Sequence, residues 1–218
     1  MFVIIFGPPG AGKGTQAARI VQAHPIPQVA TGDIFRKNLR EGTALGIEAK
    51  GYMEAGKLVP DELVSKIVAD RLQQDDCVAG ALLDGFPRSL PQACFLDAWL
   101  AERGMAIGLV VHLVVPDSVI VERMGGRRTC TNCGATYHVS VSPTKVQGIC
   151  DRCGSQVIQR PDDNEATVLT RLATYHEQTS PIVEHYRALG VVADVEGVGS
   201  IDRIGDHVIE AITKAFPV

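Results

Sequence analysis

Short, uninterrupted apolar runs alternate along most of the chain with longer stretches whose apolar residues recur every three or four positions. The short runs indicate buried strands, and the longer stretches indicate helices that turn one face to the core. The pattern predicts strands over residues 2–6, 26–30, 80–84, 109–115 and 191–193. Because strands that alternate with helices form parallel sheets covered on both faces, we expect an α/β fold.

The amphipathic stretches predict the helices between these strands. The clearest runs from Asp61 to Gln74, with acidic residues in its first turn and one apolar face formed by Leu63, Val64, Ile67, Val68 and Leu72. Residues 42–57 alternate glycine breaks with short helical segments. Further helices are predicted at 16–21, from 31–33 onward, and over 91–102, 116–126, 163–187 and 201–216.

Residues 127–160 depart from this alternation, because they contain few helix formers and several Thr and Val residues, which indicates a small β-rich insert. The insert carries two Cys-x-x-Cys pairs, sixteen residues apart: Cys130, Cys133, Cys150 and Cys153. This spacing is typical of a four-cysteine zinc site, and Gly134 and Gly154 suit the tight turns of such a site.

Two disulfides or four free thiols explain the spacing and the glycines of the insert less well than a metal does. Four thiolates leave no open coordination position, so the predicted role is structural, with zinc as the first choice of metal and iron as the alternative. Cys77 and Cys94 lack partners at ligand spacing, and we expect both to be ordinary core residues.

The first fifteen residues carry a phosphate-binding motif. The buried strand over 2–6 ends at a glycine-rich turn, where Gly7, Gly12 and Lys13 stand at the spacing of a phosphate-binding loop, with a helix behind them. Glycines let backbone N–H groups converge on an anion, the helix N-terminus adds partial positive charge, and Lys13 adds a full one. Gly14 stands where the general pattern has Ser or Thr, and Thr15 follows it. The motif predicts binding of a nucleoside polyphosphate.

Composition and charge narrow the class of protein. The 218 residues are 45% hydrophobic and 21% charged, an ordinary globular balance, with no stretch long enough to cross a bilayer. The net charge of −4 argues against bulk nucleic-acid binding. No basic residue precedes the apolar N-terminal run, so we do not expect a signal peptide. Six cysteines without an export signal favour a reducing compartment, and we expect a cytoplasmic protein.

Arginines recur at strand ends and around the insert: Arg36, Arg88, Arg123, Arg127, Arg128, Arg160 and Arg171. In an open parallel sheet, strand ends are the edge where ligands bind. Phosphoryl transfer needs positive charge around the migrating group, and the planar guanidinium binds phosphate oxygens in pairs. Asp84 ends a buried strand, where an aspartate can hold Mg²⁺; a turn cap is the alternative role for it.

Together these motifs resemble adenylate kinase over essentially the whole chain, in the long form whose lid carries a cysteine zinc site. The matching segments are residues 7–15, 31–33, 84–88, 122–127 and 160–171. Gly14 is the variant that this family itself uses in the loop. The resemblance implies a P-loop parallel sheet with helices on both faces and two insertions.

The resemblance also implies the domain limits. The core would comprise residues 1–29, 60–125 and 164–218. A helical monophosphate-binding segment would occupy residues 30–59, and a small β-rich zinc-binding lid would occupy residues 126–163.

The site residues are carried over by position. The resemblance places ATP against Gly10, Ala11, Gly12, Lys13, Gly14, Thr15, Arg123, Arg127, Thr136, Tyr137 and Gly199. It places AMP against Thr31, Arg36, Lys57, Leu58, Val59, Gly85, Arg88, Gln92, Arg160 and Arg171. The residues expected to promote transfer are Lys13, Asp84, Arg88, Arg123, Arg160 and Arg171. Asp33 and Asp84 are expected to position Mg²⁺ through its waters, and the four cysteines to hold Zn²⁺.

The implied activity is the reversible, Mg²⁺-dependent reaction ATP + AMP = 2 ADP, by a monomer whose partners are ATP, AMP and ADP rather than nucleic acid or a membrane. One alternative is a related kinase that phosphorylates UMP, CMP or GMP; Thr31 and Gln92 favour AMP. The other is a zinc-ribbon binding protein that uses a nucleotide as a switch. A complete second phosphate site argues against the switch, since a switch needs one nucleotide pocket only.

Overall fold

The secondary structure is taken from a computed structural model that describes residues 1–217. The strands are β1 (Phe2–Phe6), β2 (Gln28–Ala30), β3 (Ala81–Asp84), β4 (Ile107–Val114), β5 (Arg127–Cys130), β6 (Thr136–His138), β7 (Val157–Ile158) and β8 (Val192–Glu196). The α-helices are α1 (Lys13–Ala23), α2 (Thr31–Arg40), α3 (Ala44–Glu54), α4 (Asp61–Leu72), α5 (Leu90–Ala101), α6 (Asp117–Gly126), α7 (Glu165–Thr174), α8 (Ile182–Ala188) and α9 (Ile201–Ala215). Two 3₁₀ turns (Asp75–Cys77 and Pro161–Asp163) and one π-helical turn (Tyr175–Thr179) complete the set.

Five strands form one parallel sheet in the order β2-β3-β1-β4-β8. The parallel α/β prediction is therefore confirmed. The last strand runs to Glu196 rather than ending at 193, and β4 begins two residues earlier than predicted. The extension of β8 was missed because it is an edge strand, in which Asp194 and Glu196 are exposed and break the apolar run.

The central strand β1 supplies both hydrophobic cores. Phe2, Ile4 and Phe6 point into the core formed with α2, α3, α4, α5 and α8. Val3 and Ile5 point into the opposite core, formed with α1, α6, α7 and α9. All five side chains are buried. The unbroken apolar run therefore results from a strand covered on both faces, since successive side chains of a strand point in opposite directions.

Within the segment over 42–57, residues Ala44–Glu54 form one continuous helix, α3. The glycine breaks are confirmed at Gly42 and Gly56, which flank this helix with positive φ angles, and those predicted inside it are wrong. Gly46 and Gly51 both lie within this helix. A side-chain carbon added at Gly46 would collide with the main chain of Asn38 in α2, whereas one at Gly51 would meet nothing within 4 Å. Gly46 therefore allows α2 and α3 to pack closely, which outweighs its poor helix propensity.

The predicted helix over 163–187 is divided by the π-helical turn. Before the turn, Val168 and Leu172 of α7 lie in the core on one face of the sheet. After it, Ile182 and Tyr186 of α8 lie in the core on the other face. The segment thus passes from one face of the sheet to the other, and the turn marks where it does so.

The β-rich insert is confirmed as a separate antiparallel sheet in the order β6-β5-β7. It has its own small core, formed by Cys130, Ala135, Cys150 and Val157 with Tyr137 packed against them.

The two unpaired cysteines differ in burial. Cys77 is buried, as predicted, but Cys94 is exposed, so the prediction for it is wrong. Cys94 lies on the solvent side of α5, whose apolar residues spread over most of its circumference and mark no clear buried face. No helix in residues 1–217 combines the length and apolar character needed to span a membrane.

Candidate active site

The predicted site residues follow the carboxyl ends of the parallel strands. The phosphate loop follows β1, Thr31 follows β2, and Gly85 follows β3, which ends at Asp84; Gly199 lies beyond β8. In open parallel sheets, ligands bind in the crevice outside this edge. The sheet therefore gathers segments far apart in sequence into one cleft.

The loop after β1 leads directly into the first turn of α1. Gly10 and Gly12 have φ angles of +80° and +94°, a region that favours glycine, and α1 begins at Lys13 immediately afterwards. The Lys13 ammonium donates hydrogen bonds of 2.8 Å to the carbonyls of Gly7 and Pro8. The loop is thus preformed, with its lysine folded back across it and the first N–H groups of α1 facing the cleft.

Burial dominates the electrostatics of Lys13. Removal from water lowers its pKa from 10.5 to about 7; Asp84 opposes this shift, while Arg88 and Arg171 add to it. Burial likewise raises the pKa of Asp84, against the influence of Lys13. The pocket therefore concentrates positive charge that is only partly compensated, and a phosphate group would restore the balance.

Asp84 lies beside the phosphate loop. Its Oδ2 atom accepts a hydrogen bond of 3.0 Å from Gln28 Nε2, and it lies 3.8 Å from the position of a side-chain carbon at Gly14. Asp33 is close enough to raise the pKa of Asp84, and its own carboxylate is paired with Arg36 at 2.5 Å. Two neighbouring carboxylates next to a phosphate loop fit Mg²⁺, which prefers oxygen ligands. The contact with Gln28 was not predicted, since no motif marks that residue.

A second set of polar contacts surrounds the loop after β3. Thr31 Oγ1 and Arg88 Nε each donate a 2.8 Å hydrogen bond to the Gly85 carbonyl. Gln92 Oε1 accepts a 2.8 Å hydrogen bond from the Arg88 N–H, and Gln92 Nε2 donates to Asp61 at 2.7 Å. Four of the residues predicted for AMP are therefore joined, and Asp61 was missed as their partner.

Three arginines around the lid are held by neighbours at its base. Arg127 donates from Nε to Asp163 Oδ2 at 2.7 Å, and its Nη2 donates to Oδ1 of the same carboxylate. Arg171 pairs with Asp162 at 2.8 Å, and Arg160 donates to Thr129 Oγ1 at 2.8 Å. The acidic pair lies within a segment that carries the resemblance, but its role as arginine partner was not predicted.

The charges of these arginines act on one another. Burial, together with the nearby charges of Arg36 and Arg127, lowers the pKa of Arg160 to about 9. Burial lowers the pKa of Arg171 to about 10, with contributions from Arg127 and Arg88. Arginines from the lid, the α2–α3 segment and the core thus converge on one cleft, which suits a chain of several phosphates.

The remaining predicted residues lie outside these sets of contacts. Arg123 donates to the Gly197 carbonyl at 2.9 Å. Lys57, Leu58 and Val59 form the link between α3 and α4. Thr136 is exposed in β6.

Tyr137 behaves differently from the arginines around it. Its hydroxyl lies 3.3 Å from Cys150 Sγ and accepts a hydrogen bond from the Asp151 N–H. Its hydroxyl therefore belongs to the cysteine cluster, and only its ring and main chain are left for a nucleotide.

The four lid cysteines bring their sulfur atoms within 4.8 Å of one another. The separations are 3.5 Å between Cys130 and Cys153 and 3.6 Å between Cys133 and Cys150. Four thiolates around zinc lie about 3.8 Å apart, given Zn–S bonds of about 2.3 Å, whereas a disulfide brings its sulfurs to about 2.05 Å. The geometry fits a tetrahedral metal site and not two disulfides.

A phosphate loop on a parallel sheet, with a second arginine-lined site and a lid, defines a P-loop kinase that acts on small phosphorylated substrates. The family model described as adenylate kinase matches residues 5–191. The chain is 52% identical over 212 residues to the adenylate kinase of Ruminiclostridium cellulolyticum (97% of this chain, 99% of the relative). It is 50% identical over 214 residues to that of Finegoldia magna (98% of this chain, 100% of the relative).

The adenylate kinase of Agathobacter rectalis is 51% identical over 209 residues, which cover 96% of this chain and 98% of the relative. The chain therefore belongs to the adenylate kinase family. It is a phosphotransferase that binds adenine nucleotides and uses Mg-ATP, as the resemblance in the sequence predicted.

Proposed function

We propose that the chain catalyses ATP + AMP = 2 ADP at the carboxyl edge of its sheet, with ATP on the phosphate loop and AMP on the loop after β3. The observation that carries this proposal is the convergence of Lys13, Arg88 and Arg171, whose charges act on one another from three separate elements. Bringing several buried positive charges together is costly unless a chain of phosphates neutralises them. A pocket for one nucleotide does not need such a convergence.

On the donor side, the backbone of Gly10, Ala11, Gly12, Gly14 and Thr15 holds the ATP phosphates, and Lys13 reaches the group that is transferred. Arg123 and Arg127 approach ATP from the lid side, with Thr136, Tyr137 and Gly199 at the margin. The preformed loop and the first turn of α1 support this assignment.

On the acceptor side, Arg36 and Arg88 bind the AMP phosphate, while Arg160 and Arg171 close over both nucleotides. Gln92 and Thr31 contact the adenosine side, together with Gly85 and the link formed by Lys57, Leu58 and Val59. Beyond its contacts with Arg88 and Asp61, Gln92 keeps one amide hydrogen and one oxygen lone pair free. These free groups support a role for Gln92 in hydrogen bonding to the adenine base.

The acceptor phosphate is already anionic, so the chain does not need a general base. Its residues align the two nucleotides and neutralise the charge that develops on the migrating group. Asp33 and Asp84 would hold Mg²⁺, which supplies further neutralisation of the phosphate oxygens. The four cysteines would hold structural Zn²⁺ in the lid.

We also propose that residues 30–59 and 126–163 act as two insertions that close over a core of 1–29, 60–125 and 164–218, and that closure excludes water from the transfer. We propose a monomer as the acting unit, which light scattering would test. Free cysteine pairs at metal-ligand distances support a reducing, cytoplasmic location, which fractionation of the source cells would test.

Measurement of ADP formation with Mg-ATP tests the proposal. Purified protein is offered AMP, UMP, CMP or GMP separately, and we expect rapid ADP production with AMP alone. Transfer to another monophosphate instead would replace the acceptor assignment while keeping the reaction class. Nucleotide binding without transfer to any acceptor would overturn the kinase assignment in favour of the switch.

Arg88→Lys tests the acceptor site, because lysine keeps the charge and loses the two-pronged phosphate contact. We expect kcat to fall by roughly 10²–10³-fold. Arg103→Lys is the matched control and should leave kcat unchanged, since Arg103 lies two residues beyond the end of α5, with its guanidinium over the ring of Trp99. Equal activity of the two variants would contradict the role of Arg88.

A further inference from the structure

The main chain of Arg88 is held from both sides by buried side chains. Its N–H donates to Gln92 Oε1 at 2.8 Å, and its carbonyl accepts a hydrogen bond of 2.7 Å from Thr179 Oγ1. Gln92 is 1% exposed and Thr179 is 7% exposed. Thr179 lies 91 residues away along the chain and belongs to none of the motifs discussed above.

The Arg88 side chain lacks the carboxylate partner that two other arginines of the cleft have. Arg127 and Arg171 each form an ion pair with a carboxylate at the base of the lid. The ion pairs found within residues 1–217 do not include Arg88, whose Nε atom donates to the neutral carbonyl of Gly85. The direction of its guanidinium therefore depends on this one neutral contact and on where its own main chain is fixed.

Thr179 is brought to this place by the π-helical turn. The turn is closed by a 2.7 Å hydrogen bond from the Ser180 N–H to the Tyr175 carbonyl, and Pro181 follows it. It lies where the chain passes from the core containing Leu172 to the core containing Ile182. Wide turns of this kind are often found at functional sites, because they redirect side chains without ending a helix.

We propose that Thr179 is a positioning residue for phosphoryl transfer, which acts through Arg88. Its hydroxyl holds the Arg88 carbonyl while Gln92 holds the Arg88 N–H, so the two side chains together fix the Arg88 main chain at the sheet edge. The guanidinium is then placed to bind the acceptor phosphate in line with the donor phosphate. This inference rests on the role of Arg88 proposed above. Small displacements of a group that aligns reactants are costly to the rate.

Thr179→Val and Thr179→Ser form the test pair, since valine keeps the shape and removes the hydroxyl, while serine keeps the hydroxyl. For Thr179→Val we expect kcat with ATP and AMP to fall by roughly ten- to a hundredfold, with the KM for ATP unchanged within about twofold. Thr179→Ser should restore kcat to within about threefold of the parent. Thr179→Ala repeats the deletion if the valine variant does not fold.

A purely structural role would give a different pattern. Thr179→Val would then unfold at a lower temperature than the parent, while its kcat at 25 °C stayed unchanged. That result would overturn the proposal, as would equal kcat for the valine and serine variants.

Coupling to Arg88 completes the test. In an Arg88→Lys background, Thr179→Val should lower kcat by less than about twofold further, because the group it positions has already been changed. If the double variant instead lowers kcat by the product of the two single-variant effects, the proposal is overturned. A normal rate in Arg88→Lys alone would overturn the assigned role of Arg88 as well, whereas a loss there with a normal rate in Thr179→Val would overturn the positioning role alone.

Discussion

At the scale of single residues, Lys13 shows how far burial changes chemistry. Its place in the phosphate loop is evident from the spacing of its neighbours, but its state of charge is set by the cleft around it. Burial lowers its pKa from 10.5 to about 7. Between these values the unfolded chain binds a proton that the folded chain does not, so the contribution of Lys13 to stability increases as pH rises from about 7 to 10.5.

The same shift predicts proton uptake when a nucleotide binds. At pH 8 the buried amine is mostly neutral, and polyphosphate beside it should raise its pKa and bring in up to about one proton. Calorimetric titration of Mg-ATP in two buffers of different ionisation enthalpy measures this uptake. Lys13→Met should remove it, whereas Lys66→Met, at an exposed position of α4, should not. Uptake that persists in Lys13→Met would assign the proton to another group.

At the scale of elements, α3 shows why glycines in a helical pattern are ambiguous. A glycine favours a break by its propensity, and the sequence therefore predicted short segments here. Packing against α2 decided otherwise, because the close approach at Gly46 requires a residue without a side chain. The 163–187 segment shows the reverse case, because the sequence predicted a continuous helix and the structure interrupts it. No residue propensity indicates the π-helical turn, which lies where the segment passes from one core to the other.

The two glycines of α3 give a matched pair of variants. Gly46→Ala should destabilise the protein by about 1–3 kcal/mol, because the added carbon would force α2 and α3 apart. Gly51→Ala should stabilise it by about 0.5–1 kcal/mol, since alanine is the better helix former and the space is open. Urea denaturation measures both, and a change of the same sign in the two variants would contradict the packing argument.

At the scale of the whole molecule, the two cores share one sheet, whereas the lid has a core of its own. Its four residues include two of the cysteines, so little apolar packing remains there without a metal. Small units with so few buried side chains need a metal or disulfides to stay folded. The lid is therefore the part whose stability should depend on metal.

Removal of the metal that we propose for the lid should lower thermal stability more than it lowers initial turnover. With a strong chelator, or in Cys153→Ser, we expect Tm to fall by about 5 °C or more, which corresponds to ~2 kcal/mol. The initial rate at 25 °C should fall by less than about threefold, because the arginines lie at the base of the lid and not in its cysteine knuckles. Cys94→Ser, an exposed cysteine outside the cluster, is the control. Equal collapse of rate and stability would contradict the structural role.

The predictions that held depend on neighbours in sequence. The five strands, the phosphate loop and the cysteine pairs each consist of residues within about twenty positions, so spacing and periodicity are enough to reveal them. The limits of β8 and the exposure of Cys94 could not be read in this way. An edge strand and a helix that is apolar on most sides do not show which face is buried.

The sequence by itself determined the fold class, the phosphate loop and the four-cysteine cluster, because each depends on local spacing and on the chemistry of the residues named. Only the tertiary structure decided which groups hold the functional side chains: Gln28 on Asp84, Asp61 on Gln92, Asp163 on Arg127 and Thr179 on Arg88. These contacts join positions about thirty to ninety residues apart, and a single hydrogen bond leaves no periodic trace in either segment. They form because folding of the sheet brings the segments to one edge, where a buried polar group without a partner costs free energy.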